Sequence, residues 1–268
     1  MLRWADWILD NQRTLGELVQ AESGKTWADA SLETTMSVEF INYYAKHGVD
    51  FLAVRHVRPH GLVSATKRLT LRYRPYQLVG LITPWNGPLA GPSLDAMAAL
   101  MAGAAVLSKP SEVAPLSWTE AVRGFREEAG GPAILAVANG GAITGEAVVQ
   151  SADFVMFTGS TATGRKIAVS CAERLIPCGL ELGGKDAMVV LADADVERAA
   201  TAATWGAMLN SGQTCVSVER VYVEAPVYDE FVAKVTQKVA ELRQGTDAPG
   251  SFRAEVGAMA TAAQVDVV

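Results

Sequence analysis

The chain has 268 residues, half of them hydrophobic and 19% charged, with a formal net charge of -6, enough to bury a substantial core in one or two domains. That acidic balance repels polyanions and no local basic stripe offsets it, which argues against a nucleic-acid partner. Cys171, Cys178 and Cys215 form no CxxC pair, so neither a disulfide framework nor a structural zinc site is expected, and a cytoplasmic location fits.

From Leu2 to about Leu52 apolar residues recur at helical spacing (Trp4, Ile8, Leu15, Leu18, then Val38, Ile41, Tyr44), which predicts two helices parted at Ser23-Gly24. The mixed charge of this opening is unlike a secretory leader. Thr66 to Tyr73, TKRLTLRY, alternates as a strand with one exposed face. Beyond Pro75 the short apolar runs LVGLI (78–82), AAVLS (104–108), AILAV (133–137) and FVMF (154–157) alternate with helical stretches, the rhythm of a parallel sheet covered on both faces. Pro88 to Leu107 approaches membrane-spanning length, but Asp95 and two prolines interrupt it. It reads as a buried helix and a core strand, with no membrane partner. After Glu181 come AMVVL (187–191), a helix near 196–209, a strand at 220–223 and a helix at 227–243, and nothing past Gly250 reads as a finished domain. The chain therefore reads as cut short, a fragment.

Four loops at strand ends and the stretch around Glu181 carry candidate chemistry. NSGQTCVSVERVYV (210–223) sets Cys215 in a loop before a strand, and a thiol is the best side-chain nucleophile near neutral pH. PCGLELGGK (177–185) sets Glu181 beside a Gly-Gly pair; a buried glutamate there would suit a general base. LITPWNGPL (81–89) presents Asn86, a neutral donor for a developing oxyanion. SKPSE (108–112) brings Lys109 and Glu112 onto one loop, and FTGSTATG (157–164) puts Ser160 at a helix start suited to phosphate. Taken singly, each has a plainer reading: an inert cysteine, a salt-bridged carboxylate, a turn asparagine, surface charges, an ordinary N-cap.

In this order, PWN, KPSE, FTGST, ELGGK and GQTC resemble the aldehyde dehydrogenase superfamily, over nearly the whole chain. The resemblance implies that Cys215 attacks an aldehyde, that Asn86 and the Cys215 backbone N–H hold the oxyanion, and that Glu181 activates the water that releases a carboxylic acid. For the cofactor it implies Lys109 and Glu112 on the adenosine ribose, Gly159 and Ser160 at the pyrophosphate, and Thr83, Pro84, Trp85, Gly141, Phe157, Thr163, Leu182 and Gly183 along the rest. A carboxylate at Glu112 would repel a 2′-phosphate, so NAD is expected over NADP. The implied fold is α/β: a Rossmann-like parallel sheet with helices on both faces, followed by an incomplete α/β catalytic domain. Residues 1–183 would form the cofactor-binding domain, with the 64–76 strand in a bridging or oligomerisation element, and 184–268 a partial catalytic domain.

The sequence departs from the family pattern at Gly87, where an aromatic is usual, and at Ala162 and Thr163 in the cofactor helix, while Gly159 and Gly164 remain. An EEIFGP motif is absent, which leaves a catalytically silent nucleotide-binding remnant as the competing expectation, with a thiol esterase behind it. Cys-His catalysis is disfavoured because His47, His56 and His60 all lie in the N-terminal quarter. The run 217–231 is weakly similar to succinate-semialdehyde dehydrogenases. The expected partners are a small aldehyde and, for a full-length chain, further copies of itself as a homo-oligomer.

Overall fold

The computed structural model describes residues 1–267. The N-terminal stretch forms three helices rather than two: α1 (Leu2–Asp10), α2 (Gln12–Ser23) and α3 (Trp27–Phe51). The unforeseen break falls at Asn11, whose side-chain amide donates to the Trp7 carbonyl at 2.8 Å, a local bond that competes with helix propagation. Gly24 ends α2 in the left-handed region (φ 72°) and Thr26 caps α3 by accepting from the Asp29 N–H.

An antiparallel pair follows, β1 (Arg55–Val57) with β2 (Leu69–Leu71). The expected strand at 66–73 is thus shorter and has a partner that periodicity did not reveal. Its residues are exposed on both faces, because among the described residues no other element packs extensively against this arm.

Next come β3 (Leu78–Ile82), α4 (Ala90–Ala102), β4 (Ala105–Lys109), α5 (Leu116–Glu127), β5 (Leu135–Val137), α6 (Ala142–Ser151), β6 (Phe154–Thr158), α7 (Thr161–Glu173) and β7 (Cys178–Glu181). The five strands β3 to β7 pair in parallel in the order β5-β4-β3-β6-β7, a doubly wound sheet whose order reverses beside β3. One face is buried by Trp4, Ile8, Met97, Trp118 and Phe125 from α1, α4 and α5, the other by Val148, Val149, Ile167 and Cys171 from α6 and α7. Gly80 in the central strand allows α6 its close approach, since a Cβ there would lie 2.9 Å from both Val148 and Ala152 side chains.

Residues after Gly183 correct the expectation of an incomplete domain. β8 (Asp186–Val190) and β9 (Val218–Val223) pair in parallel, and α8 (Val196–Met208) and α9 (Ala225–Glu241) accompany them. Val190, Val196, Ala200, Ala203 and Phe231 close a separate core, so this region is a folded α/β unit with its own packing. The chain then returns toward α2 before a short α10 (Ala262–Val265). Among the described residues no helix is long and apolar enough to cross a membrane.

Candidate active site

The carboxyl ends of β3, β4, β6 and β7 deliver Thr83, Lys109, Thr158 and Glu181 to one edge of the sheet, where doubly wound folds hold ligands. Thr83 follows β3 directly, its N–H bonded to the Lys109 carbonyl at 3.2 Å. Its hydroxyl is buried and finds no partner among the described residues, an orphaned polar atom at the sheet edge. Pro84, Trp85 and Asn86 follow, all half-buried.

Asn86 is tied to the cysteine loop: its Nδ2 donates to the Gln213 carbonyl at 2.9 Å, two residues ahead of Cys215. Asn210 Nδ2 donates in return to the Asn86 carbonyl at 3.0 Å and to that of Gln213 at 3.1 Å. The loop needs such anchors, because Asn210 (φ 53°), Ser211 (φ 59°) and Gly212 (φ 75°) are three successive left-handed residues. Cys215 itself is exposed. Cys171, by contrast, is buried, and its thiol is pushed up to about 11 by that burial and by neighbouring Cys178.

Glu181 ends β7, and its backbone carbonyl accepts from the Gly159 N–H at 3.0 Å. The side chain is exposed rather than buried, since the Gly183-Gly184 stretch after it carries no side chains to cover it. Asp95 on α4 is close enough to feel the Glu181 charge, and Tyr44 of α3 in turn feels that of Asp95. Burial, together with the Glu181 charge, pushes the Asp95 carboxyl up to about 6 from 3.8. An acid with a raised folded-state pKa loses stability as pH climbs from its unfolded value through the folded one. Asp95→Asn is therefore expected to stabilise the protein by about 1–3 kcal/mol above pH 6, with no gain below the ordinary aspartate range. Urea denaturation at pH 4 and pH 8 measures this; an equal effect at both would refute it.

Lys109 is buried and pairs with Glu112 at 2.7 Å, a bond that holds the Glu112 carboxyl below its ordinary value. Ser160 caps α7, accepting from the Thr163 N–H at 3.3 Å and donating to the Thr163 hydroxyl at 3.1 Å. Phe157 is buried beneath Gly159 and Gly164, and a Cβ at Gly164 would meet Leu182 at 2.6 Å. Gly141 precedes α6 and Gly183 follows β7, both with open space beside them. At Gly87 a Cβ would meet only the Gly91 nitrogen at 3.7 Å, so the space beside it, where an aromatic would otherwise form a wall, is open as well. The sequence did not point to Lys25, Glu33 or Asp95, which come from distant parts of the chain, nor to the bonds that Asn210 and Gln213 of the cysteine run make with Asn86. A lysine following Gly24 at a helix start is, by spacing alone, an ordinary surface residue.

These features define a doubly wound α/β protein with an exposed thiol loop bound to the carboxyl edge of its sheet. The chain belongs to the aldehyde dehydrogenase family, which it matches over residues 1–268. It is 39% identical over 270 residues, covering 100% of this chain and 51% of the relative, to a putative succinate-semialdehyde dehydrogenase [NADP(+)] of Mycolicibacterium smegmatis. It is 38% identical over 265 residues, covering 97% of this chain and 49% of the relative, to a 4,4'-diapolycopene aldehyde oxidase of a Methylomonas species. Among solved structures, succinate-semialdehyde dehydrogenase from Burkholderia pseudomallei superposes with a TM-score of 0.90 at 32% identity, covering 98% of this chain and 54% of that one. The expectation of a weak, cut-short similarity is corrected: the family match is strong and runs across all of residues 1–268. The chain spans about half the length of the curated relatives it matches.

Proposed function

We propose that this chain carries the chemistry of an NAD(P)-dependent aldehyde dehydrogenase, with Cys215 as nucleophile, Asn86 as oxyanion donor and Glu181 as base. The observation that carries the reading is the Asn86 to Gln213 hydrogen bond of 2.9 Å, which joins the amide loop to the thiol loop. In this reading Cys215 Sγ adds to the aldehyde carbon, and the oxygen that becomes negative accepts from Asn86 and from the Cys215 N–H. The chemistry supplied by the bound dinucleotide is hydride acceptance, which leaves a thioester on Cys215. Glu181, exposed and therefore reachable by water, takes the proton of the water that hydrolyses it.

The sheet edge fits such a cofactor. The orphaned Thr83 hydroxyl and the open space at Gly141 and Gly183 provide a polar contact and room for close approach. In this reading Pro84, Trp85, Phe157, Gly159, Ser160, Thr163 and Leu182 would surround the rest of the dinucleotide, and Lys109 with Glu112 would meet the adenosine ribose. The Glu112 carboxylate favours NAD, although the Mycolicibacterium relative carries NADP(+) in its name. Residues 1–183 then serve as the cofactor-binding unit, 184–268 supply the nucleophile, and the 64–76 arm is a surface for self-association. The open wall at Gly87 favours a bulkier aldehyde than a phenylalanine there would admit.

The test follows NADH and NADPH formation from a panel of short, long and carboxylated aldehydes. In Glu181→Gln the first turnover should survive as a burst while the steady-state rate falls about 10²-fold, because only thioester hydrolysis loses its base. No reduced cofactor with any aldehyde, or a variant with no burst, would count against the assignment.

A further inference from the structure

We infer that the buried Lys25–Glu33 ion pair is a positioning device for Asn86, an inference that rests on the oxyanion role proposed above. Both side chains are almost fully enclosed, at 6% and 5% exposure. Lys25 Nζ bonds to Glu33 Oε1 and donates to the Asn86 carbonyl at 2.7 Å. Glu33 Oε2 accepts from the Leu89 N–H at 3.0 Å and the Ala90 N–H at 2.8 Å. The pair therefore grips the loop at two places, the peptide oxygen of Asn86 and the start of α4.

General stability is a poor account of this arrangement. Enclosing two charges costs as much as their attraction returns, and apolar replacements of buried pairs are often neutral. What the ions supply is direction. Leu89 and Ala90 begin a helix with no side-chain cap and no acidic residue in its first turn, and Glu33 provides the missing acceptor and negative charge from α3. Lys25 meanwhile shares the Asn86 carbonyl with Asn210 Nδ2. With the peptide held from both sides, the Asn86 amide is left to bond the Gln213 carbonyl of the thiol loop. Asn86 and the thiol loop thus share one rigid frame, built by α3 and by a lysine that precedes it.

The test compares Lys25→Met, the double variant Lys25→Met with Glu33→Gln, Lys25→Arg and Asn86→Ala in the whole chain. Lys25→Met should lower Tm by stranding a buried carboxylate, and the neutral double variant should regain most of the loss. Its kcat should nonetheless stay about 10²-fold low with KM within about threefold, the mark of displaced catalytic geometry. Lys25→Arg keeps the charge but changes the reach to the Asn86 carbonyl, and should lower kcat with little change in KM. Hydrogen exchange, which needs no turnover, should show residues 84–90 and 210–215 opening at least tenfold faster in the double variant while β3 to β6 keep their protection. A double variant, or Lys25→Arg if the double variant does not fold, with wild-type kcat and loop exchange overturns the inference. If Asn86→Ala is slow while those variants are not, the positioning role alone fails; if Asn86→Ala keeps its kcat, the oxyanion reading fails first.

Discussion

Cys215→Ala is expected to reduce aldehyde oxidation by at least about 10³-fold while leaving cofactor affinity within about twofold. Removing Sγ removes the covalent route altogether, and among the described residues no other thiol can replace it. Cys171 is sealed in the core with its thiol pushed up to about 11, and Cys178 lies beside it as the first residue of β7, at the opposite end of that strand from Glu181. Alanine at this exposed position disturbs no packing, so titration calorimetry with NAD and NADP should report an unchanged sheet edge. Stopped-flow absorbance of the reduced cofactor measures the chemistry. A variant that still oxidises aldehyde at a tenth of the parent rate would rule the sulfur out as nucleophile.

The second large effect concerns stability. Trp4→Ala should cost about 3–5 kcal/mol, by the cavity left where an indole had been. Trp4 is completely buried, sits 5.1 Å from the Phe125 ring and 6.0 Å from the Trp118 ring, and donates Nε1–H to the Ala121 carbonyl at 2.9 Å. It is thus the bolt between α1 and α5. Trp4→Phe keeps most of the volume and loses the hydrogen bond, so about 1–2 kcal/mol is expected. Urea titration followed by circular dichroism should show both midpoints falling, alanine further, at constant slope. Equal midpoints for the two variants would show that the hydrogen bond, not the filled volume, holds α1.

The sheet was legible because parallel strands buried on both faces are written as apolar runs, and LVGLI, AVLSK and FVMFT lie within a residue of where those runs predict. β7 escaped notice because Cys178-Gly179-Leu180-Glu181 has no β-branched residue and only half-buries its side chains. β1 escaped because three exposed residues, Arg55, His56 and Val57, carry no periodicity. In the candidate site, the motif residues were singled out by type and by their place at or near a strand's end. The burial expected for Glu181 could not, since cover depends on what neighbouring loops carry. Lys25, Glu33 and Asn210 were invisible for a different reason: their bonds to the Asn86 loop join residues that no local pattern relates.

The return of the chain from α9 toward α2 sets a timetable for synthesis. Gln20 donates to the Asp247 carbonyl at 2.9 Å, the Ala258 N–H bonds the Gly24 carbonyl at 2.9 Å, and the Ala260 N–H bonds Gln213 Oε1 at 2.9 Å. Emerging from the ribosome, the strands and helices through β7 can dock as they appear. The hinge before Lys25 and the turn before Cys215 receive their last fasteners only when residues 247–260 arrive. A nascent chain stalled short of that stretch would hold a formed sheet beside a slack thiol loop.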